Sequence, residues 1–320
     1  MLSDKDFDVV FFSEYFKDPS SSKDQGLRII FQKLEKVLNK YGYEARTLPI
    51  KTTLVQDGQL SLWCRDYMPV HTVRRDLLRF SYTPNYLKCK KYESHQPDNK
   101  WICEQLGVKA ANMANDDNDS LYLKIVLDGG NIVRCGNKVV MTDKVFLENP
   151  HIDKEKLVRY LEGWFGASII WLPYDKRDYL GHSDGILRYL SGNKVIMSPY
   201  GNPEANKLDR KFDKLYRETL QHNGMEVLSL DFSGIDEPSD KRWAYTNWLQ
   251  LNGLIIIPTF KDCPLSNQRA YEQLCHFTKR QKVAIEMVEA DELVKFGGAF
   301  NCASWTTTKQ ALEGCHYKRK

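Results

Sequence analysis

Short apolar runs alternate with amphipathic stretches along most of the chain. The short runs are rich in β-branched and aromatic residues, a composition that favours buried β-strands. The strands predicted in this way are Phe7–Phe12, Lys138–Thr142, Ala167–Leu172, Lys194–Ser198, Glu226–Leu230, Leu254–Phe260 and Val283–Val288.

Several intervening stretches carry apolar residues at three- and four-residue spacing, which predicts helices with one buried face. In Leu27–Leu38, for example, Ile30 and Leu34 continue the apolar stripe. The other predicted helices are Asn99–Leu106, Asp153–Trp164, Ala205–His222 and Ser266–Thr278, the last with Ser266 as its N-cap. Strands that alternate with helices indicate an α/β fold.

The chain shows no obvious division into domains. No Ser/Gly-rich linker interrupts its 320 residues, and no period is regular enough to predict a sequence repeat. The stretch 82–119 is polar and rich in Lys, Asn and Asp, and it is interpreted as an excursion from the main fold. We therefore expect one catalytic domain over residues 1–320.

The composition of the chain argues against nucleic acids and membranes as binding partners. The net charge is only +4, from 46 basic and 42 acidic residues, whereas nucleic-acid binding usually needs a clustered basic face. No apolar run approaches the length of a membrane span, and the charged N-terminus is not followed by the apolar core of a signal peptide. We expect a cytoplasmic protein with no nucleic-acid or membrane partner and with reduced cysteines. No two of its eight cysteines form a Cys-x-x-Cys zinc pattern.

The segment Gly181–Gly185 contains a His-x-Asp pattern. Residues two apart on a strand point to the same face, so a strand here would present His182 and Asp184 together. A pattern this short is more often a turn or a core histidine. Such a pattern with a distant histidine also occurs in the 2-His-1-carboxylate sites of iron oxygenases. Those sites usually lie in all-β folds, so the α/β alternation argues against that alternative.

Two further clusters lie upstream. In Trp63–Pro69, an extended backbone would turn Asp66 away from Arg65, leaving Arg65 for an ion pair. Carboxylates pair in a bidentate manner with planar guanidinium groups, so Asp66 and Asp184 together could clamp one such cation. The sequence Asp128-Gly129-Gly130-Asn131 follows an apolar run and is typical of a strand-end bend with a close backbone approach. A surface loop or a simple turn remains open for either cluster alone.

A cysteine follows a Gly-Gly pair near the C-terminus. Cys302 would be a strong nucleophile only as the thiolate, which a neighbouring cation stabilises. His182 or a bound cationic substrate could supply that charge. Taken alone, Cys302 is more simply explained as a core residue.

Together the clusters form an ordered set of motifs. They are Trp63-x-Arg65-Asp66-x-x-Pro69, Asp128-Gly129-Gly130-Asn131, Gly181-His182-x-Asp184-x-x-x-Arg188 and Gly297-Gly298-x-x-x-Cys302. Over roughly residues 60 to 307 the chain resembles the agmatine deiminase and bacterial-type peptidylarginine deiminase family of guanidino-modifying enzymes. The segment Ala244–Trp248 is also similar to that family.

The resemblance implies a pentein fold, a five-bladed α/β propeller of ββαβ units. It implies Cys302 as the nucleophile and His182 as the general acid/base, with Asp66 and Asp184 holding a guanidinium group. The other substrate-binding residues that it implies are Trp63, Asn247, Gly129, Gly130 and Leu180. It implies neither a metal nor an organic cofactor. The oligomeric state stays open, with a homodimer as one option.

The implied reaction is removal of ammonia from a guanidinium group through a covalent Cys302 thiouronium intermediate. The family commonly has Glu-Gly-Gly where this chain has Asp128, and His where it has Asn301. For that reason the predicted substrate is agmatine or a related small guanidino compound. Two alternatives stay open: an amidinotransferase of the same fold and a non-catalytic guanidine-binding protein.

Overall fold

The computed structural model of the chain describes residues 2–19, 24–50, 61–74, 76–87, 96–112 and 125–313. Cys89, Cys315, His316 and the acidic run 116–119 fall outside these residues. The described strands form five sheets of three strands each. In every sheet the middle strand pairs antiparallel with one neighbour and parallel with the other.

Each sheet is a ββαβ blade, because at least one helix joins its two parallel strands. The strands are β1 (Val9–Ser13), β2 (Ala45–Leu48), β3 (Val70–His71), β4 (Leu77–Arg79), β5 (Ala110–Asn112), β6 (Val133–Cys135), β7 (Lys138–Thr142), β8 (Ser168–Leu172), β9 (Leu187–Ser191), β10 (Lys194–Met197), β11 (Glu226–Ser229), β12 (Leu249–Leu251), β13 (Leu254–Thr259), β14 (Ala284–Glu289) and β15 (Ser304–Thr307). The blades are β15-β1-β2, β3-β4-β5, β6-β7-β8, β9-β10-β11 and β12-β13-β14. This is the pentein propeller, and the fold prediction is confirmed.

The helices follow the same order along the chain. They are α1 (Glu14–Lys17), α2 (Gln25–Lys40), α3 (Cys64–Tyr67), α4 (Asn99–Leu106), α5 (Lys144–Glu148), α6 (Lys154–Phe165), α7 (Lys207–His222), α8 (Pro264–Thr278), α9 (Asp291–Val294) and α10 (Lys309–Glu313). The apolar stripe of α2, including Leu27, Ile30 and Leu34, is buried against the first and last blades. None of the helices in these residues is both long and apolar enough to cross a membrane.

All seven predicted strands and all five predicted helices are present, with ends within two residues of those observed. The N-cap prediction at Ser266 is wrong. Helix α8 begins at Pro264, so Ser266 lies inside its first turn. Proline is favoured at a first helical position because its missing N–H has no intrahelical partner there.

Part of the segment 82–119 belongs to the second blade. Its described part contains a 3₁₀ turn at Asn85–Leu87, helix α4 and strand β5. The last two are the helix and third strand of the second blade. The rest of the predicted excursion lies outside the described residues.

The chemical motifs occupy equivalent places in the repeat. The segment that enters the first strand of each blade is a short turn or a single helical turn: 63–68, 128–132, 182–186, 242–247 and 297–303. Because the five blades surround one axis, five such entries meet at the centre. The repeat in structure therefore explains why motifs far apart in sequence converge.

Candidate active site

Hydrogen bonds join the five entry segments into a closed ring. The Arg65 amide donates to the carbonyl of Cys302 at 3.1 Å, and the Cys302 amide donates to Asn247 Oδ1 at 3.2 Å. Asn247 Nδ2 in turn donates to the carbonyl of Asp184 at 3.3 Å. The ring fixes the backbone on which the reactive side chains stand.

The remaining two links of the ring involve the acidic side chains. His182 Nε2 lies 2.9 Å from Asp128 Oδ2, and the Gly130 amide donates to Asp66 Oδ1 at 3.1 Å. The other imidazole nitrogen, Nδ1, lies 3.5 Å from the same Asp66 oxygen. One buried imidazole is therefore held between two buried carboxylates.

The local backbone differs from that assumed for two motifs. His182 directly precedes a 3₁₀ turn at Ser183–Gly185 instead of lying on a strand, and Asp66 lies in helix α3 instead of an extended segment. Both motifs still reach the centre, because each turn is an entry to a blade. Arg65 points away from Asp66 as expected and meets Asp4 at 3.5 Å.

Cys302 lies beside Asp184. Its Sγ is 3.6 Å from Asp184 Oδ2, an oxygen that also accepts a bond of 2.6 Å from Asn301 Nδ2. Burial raises the pKa of the Cys302 thiol well above its ordinary value, and the charges of Asp184 and Asp66 add to this rise. Without a bound cation, the sulfur is held as the neutral thiol.

The acid–base groups are shifted in the same direction. Burial alone would lower the pKa of His182, but Asp66, Asp128 and Asp184 outweigh it and raise the pKa to about 9. Burial raises the pKa of Asp66 to about 7, an effect that Asp128 and Asp184 reinforce and His182 opposes. Near neutral pH the imidazole therefore carries a proton that it can donate.

The two glycines of the Asp-Gly-Gly motif permit close approach. A Cβ on Gly130 would lie 2.6 Å from both Asp66 Oδ1 and His182 Nδ1. A Cβ on Gly129 would lie 1.9 Å from the Arg65 carbonyl oxygen. Both glycines therefore let side-chain and backbone groups from three entry segments meet.

A cavity of about 360 Å³ leads to the reactive groups. Its wall includes the predicted residues Cys302, His182, Asp184, Asn247 and Leu180. The outer wall adds aromatic and charged side chains, namely Tyr179, Tyr200, Trp243, Asp175, Asp178, Asp209 and Arg177.

Other predicted residues stand behind this wall. Asp66, Gly129 and Gly130 are buried in the ring. Trp63 packs against Gly298, where a Cβ would lie only 2.1 Å from the indole. Their roles towards substrate stay predictions. Among the described residues, no group of three or more His, Cys, Asp or Glu side chains has the arrangement of a metal site.

Sequence reasoning missed three side chains of the site. Asp128 and Asn301 lie inside or beside quoted motifs, at the positions where the chain departs from the common family residues. Tyr86, whose Oη donates to Asp128 Oδ2 at 3.0 Å, belongs to none of the sequence motifs. Only the folded geometry brings it to the site.

Comparison with known proteins identifies relatives in sequence and in fold. The chain is 27% identical over 210 residues to the agmatine deiminase of Pseudomonas syringae pv. syringae, an alignment that covers 55% of each protein. The chain thus spans little more than half the length of the curated relatives that it matches. In structure it is similar to the agmatine deiminase of C. jejuni, with a TM-score of 0.68, 18% identity and coverage of 96% and 95% of the two chains. The Enterococcus faecalis agmatine deiminase gives a TM-score of 0.67 at 16% identity, with coverage of 97% and 96%.

A family model covers most of the chain. Residues 22–307, which include all five entry segments, match the Porphyromonas-type peptidyl-arginine deiminase model. The chain therefore belongs to the Porphyromonas-type peptidyl-arginine deiminase family.

Proposed function

We propose that the protein is a guanidine deiminase that hydrolyses agmatine or a related small guanidino compound through a covalent Cys302 intermediate. The observation that carries this proposal is the convergence of Cys302, His182 and Asp184 on one cavity, with Asp66 directly behind the imidazole. Because each of the five blades supplies part of the ring, we also infer that residues 1–320 act as one catalytic domain.

The proposed reaction begins with binding of the cation. Burial raises the pKa of the Cys302 thiol, and the charges of Asp184 and Asp66 add to this rise. A guanidinium group beside these two carboxylates offsets their charge and so lowers the pKa of the thiol. The thiol then releases its proton to solvent, and the thiolate attacks the central guanidinium carbon. Substrate binding itself therefore activates the nucleophile.

His182 serves both halves of the reaction. As imidazolium it donates its proton to the departing nitrogen, the C–N bond breaks, and ammonia leaves a thiouronium on Cys302. Neutral His182 then takes a proton from water while the oxygen attacks the same carbon. Collapse of this adduct breaks the C–S bond and gives the urea product and the thiolate, and the proton left over converts ammonia to ammonium.

The charged side chains at the outer end of the cavity favour substrates with a positively charged distal end. Arg177 binds Asp175 at 2.6 Å and Asp209 at 2.8 Å, so its guanidinium group is already engaged. With Asp178, three carboxylates and one guanidinium group line this part of the cavity, an excess of two negative charges. A positively charged distal end, such as the amine of agmatine, is attracted here, and a distal carboxylate is repelled.

The test is ammonia release from two compounds that differ only at the distal end. Agmatine and 4-guanidinobutyrate have the same guanidinium group but opposite distal charges. We expect kcat/KM to be at least about 100-fold higher for agmatine, with no amine acceptor present. Equal values for the two compounds would contradict the substrate assignment. Formation of a new guanidine from an added amine, with the diamine portion of agmatine released instead of ammonia, would identify an amidinotransferase.

The nucleophile is tested by replacement and by mass. Cys302→Ala is expected to abolish turnover, and quenched wild-type enzyme is expected to carry a thiouronium adduct on Cys302. Cys275→Ala, at a partly exposed helix position, is the matched control and should retain activity. Full activity of Cys302→Ala would overturn the mechanism.

A further inference from the structure

A buried ion pair lies next to the site, and the proposed reaction does not use it. Lys144 Nζ and Glu148 Oε1 are 3.1 Å apart on helix α5, with side chains only 1% and 4% exposed. Removing two charges from water costs several kcal/mol per ion, so such a pair contributes little net stability. A role in positioning neighbouring groups is the better explanation for its burial.

Both members of the pair contact the 3₁₀ turn at Asn85–Leu87. Glu148 Oε1 accepts a hydrogen bond from the backbone amide of Asn85 at 3.2 Å. The Lys144 ammonium lies 4.6 Å from the centre of the Tyr86 ring, within the range of a cation–π interaction. One member of the pair thus holds the backbone of the turn and the other holds its aromatic side chain.

Tyr86 connects this turn to His182 through Asp128. Its Oη donates to Asp128 Oδ2 at 3.0 Å, and the same oxygen is 2.9 Å from His182 Nε2. The second oxygen, Asp128 Oδ1, is buried and has no hydrogen-bond partner among the described residues. The two contacts at Oδ2 are therefore what fixes the orientation of the carboxylate.

The phenol is also placed against the imidazole directly. The rings of Tyr86 and His182 are 6.2 Å apart in an edge-to-face arrangement. Burial keeps the pKa of Tyr86 well above its ordinary value, so its hydroxyl remains a donor throughout the working range of pH.

We propose that Tyr86 is a positioning residue that orients His182 through Asp128, and that the Lys144–Glu148 pair holds Tyr86 in place. The inference rests on the proposed function in that it gives His182 an acid–base role. It also assigns a task to the segment 82–119, which contributes Tyr86 to a site otherwise built from blade entries.

The direction of the effect follows from the groups that face His182. These are the carboxylates of Asp66, Asp128 and Asp184, together with the phenol of Tyr86. The hydrogen bond that Tyr86 Oη donates to Asp128 Oδ2 reduces the negative charge that this oxygen presents to His182. Removing that donor leaves more negative charge against Nε2, which stabilises the imidazolium and raises the pKa of His182.

The decisive variant is Tyr86→Phe, which keeps the ring and removes the hydroxyl. In the full-length protein with isotope-labelled histidine, NMR titration is expected to show the pKa of His182 rising by about half a unit to one unit. Near neutral pH, kcat on agmatine should fall about 3- to 10-fold, because less neutral His182 is available for the hydrolytic half. KM should change less than twofold, and the pH optimum should move to higher pH.

Tyr189→Phe is the matched control, because among the described residues the hydroxyl of Tyr189 bonds to the Gly192 carbonyl in a hairpin and not to the site. It should leave the His182 titration unchanged. Lys144→Met should lower kcat in the wild type but have little further effect in the Tyr86→Phe background, since both act on one group.

An unchanged His182 titration and unchanged kcat in Tyr86→Phe would overturn the proposal, as would an equal shift in Tyr189→Phe. If Lys144→Met does not fold, Tyr86→Phe decides alone. If no guanidino compound is turned over, the proposed function fails, whereas the His182 titration still tests Tyr86.

Discussion

At the scale of single residues, the candidate site carries an excess of negative charge, which favours a cationic ligand. Asp66, Asp128 and Asp184 face one imidazole, which leaves an excess of negative charge when all are ionised. Because the folded-state pKa of His182 is raised to about 9, protonated His182 stabilises the fold fully below its unfolded value of 6.5. That contribution is lost as the pH rises through 9.

Asp66 makes stability depend on pH in the same direction. Its pKa of about 7 in the folded state lies above the ordinary 3.8, so stability falls as the pH rises from 3.8 to 7 and the full cost of ionising Asp66 remains above that range. A bound guanidinium group reduces this cost. Ligand binding and stability are therefore coupled through the same carboxylates that are proposed to recognise the substrate.

Gly130 is the residue on which the geometry of the site depends most tightly. In Gly130→Ala the new methyl group would lie 2.6 Å from Asp66 Oδ1 and His182 Nδ1 and 3.2 Å from Asp184 Oδ1. The three side chains must move apart, and misplacement of about 1 Å can cost about 100-fold in rate. We expect kcat/KM to fall by at least that factor while the thermal transition remains cooperative.

The control for this prediction is Gly163→Ala. A Cβ at Gly163, in helix α6, meets nothing within 4 Å. Alanine should stabilise the helix by about 0.5–1 kcal/mol without altering activity. Comparable activity of the two alanine variants would show that the close approach at Gly130 is unimportant.

At the scale of elements, the glutamate that caps α8 lies far from the helix in sequence. The Leu265 amide donates to Glu237 Oε1 and the Ser266 amide to Glu237 Oε2, each at 2.8 Å. A sequence-local signal pointed to Ser266 because a serine before an apolar periodic run is a common N-cap. The real cap comes from a residue almost thirty positions earlier.

Glu237→Ala should therefore destabilise the protein by about 1 kcal/mol, the usual effect of losing an N-cap. The measurement is chemical denaturation monitored by circular dichroism. Glu272→Ala removes an exposed glutamate of the same helix, which accepts a hydrogen bond from Gln268, and should have a much smaller effect. A free energy of unfolding that is equal in Glu237→Ala and the wild type would refute the remote cap.

The longer elements can be predicted from the sequence, whereas the shortest strands cannot. Strand β7 shows a continuous apolar run and was predicted with its observed ends, whereas β3 has only two residues and shows no period. The motif order pointed to Cys302 and His182, and both line one cavity in the structure, while their catalytic roles stay predictions. Tyr86 could not be predicted, because its role depends on the burial of Lys144 and Glu148 in another blade.

At the scale of the whole molecule, the two ends of the chain complete one blade. Strand β15 pairs antiparallel with β1, so residues 304–307 and 9–12 close the propeller. The blade entry that carries Cys302 leads directly into β15. The pairing of β15 with β1 therefore both closes the propeller and positions the proposed nucleophile.

Asp4 supports this closure through ion pairs with two arginines, of which Arg188 is buried and Arg65 is partly buried. It lies 2.8 Å from Arg188 Nη2 and 3.5 Å from Arg65 Nη1. Burial alone would raise the pKa of Asp4, but the guanidinium groups of Arg188, Arg65 and Arg134 outweigh it and lower the pKa. The carboxylate thus joins the N-terminal segment to the two motifs that carry Asp66 and Asp184.

Asp4→Asn leaves Arg188 buried without its counterion, so we expect a loss of about 2 kcal/mol at pH 7, reduced from the usual cost because Asp4 is partly exposed. Since the folded-state pKa of Asp4 is lowered, its contribution is complete above the unfolded value of 3.8 and is lost as the pH falls through the folded value. Thermal melts should therefore show a gap between wild type and Asp4→Asn that is largest at pH 7 and narrows at pH 3. Asp18→Asn, at an exposed position, should match the wild type at both pH values. A gap that does not narrow would mean that Asp4 acts through packing rather than through its charge.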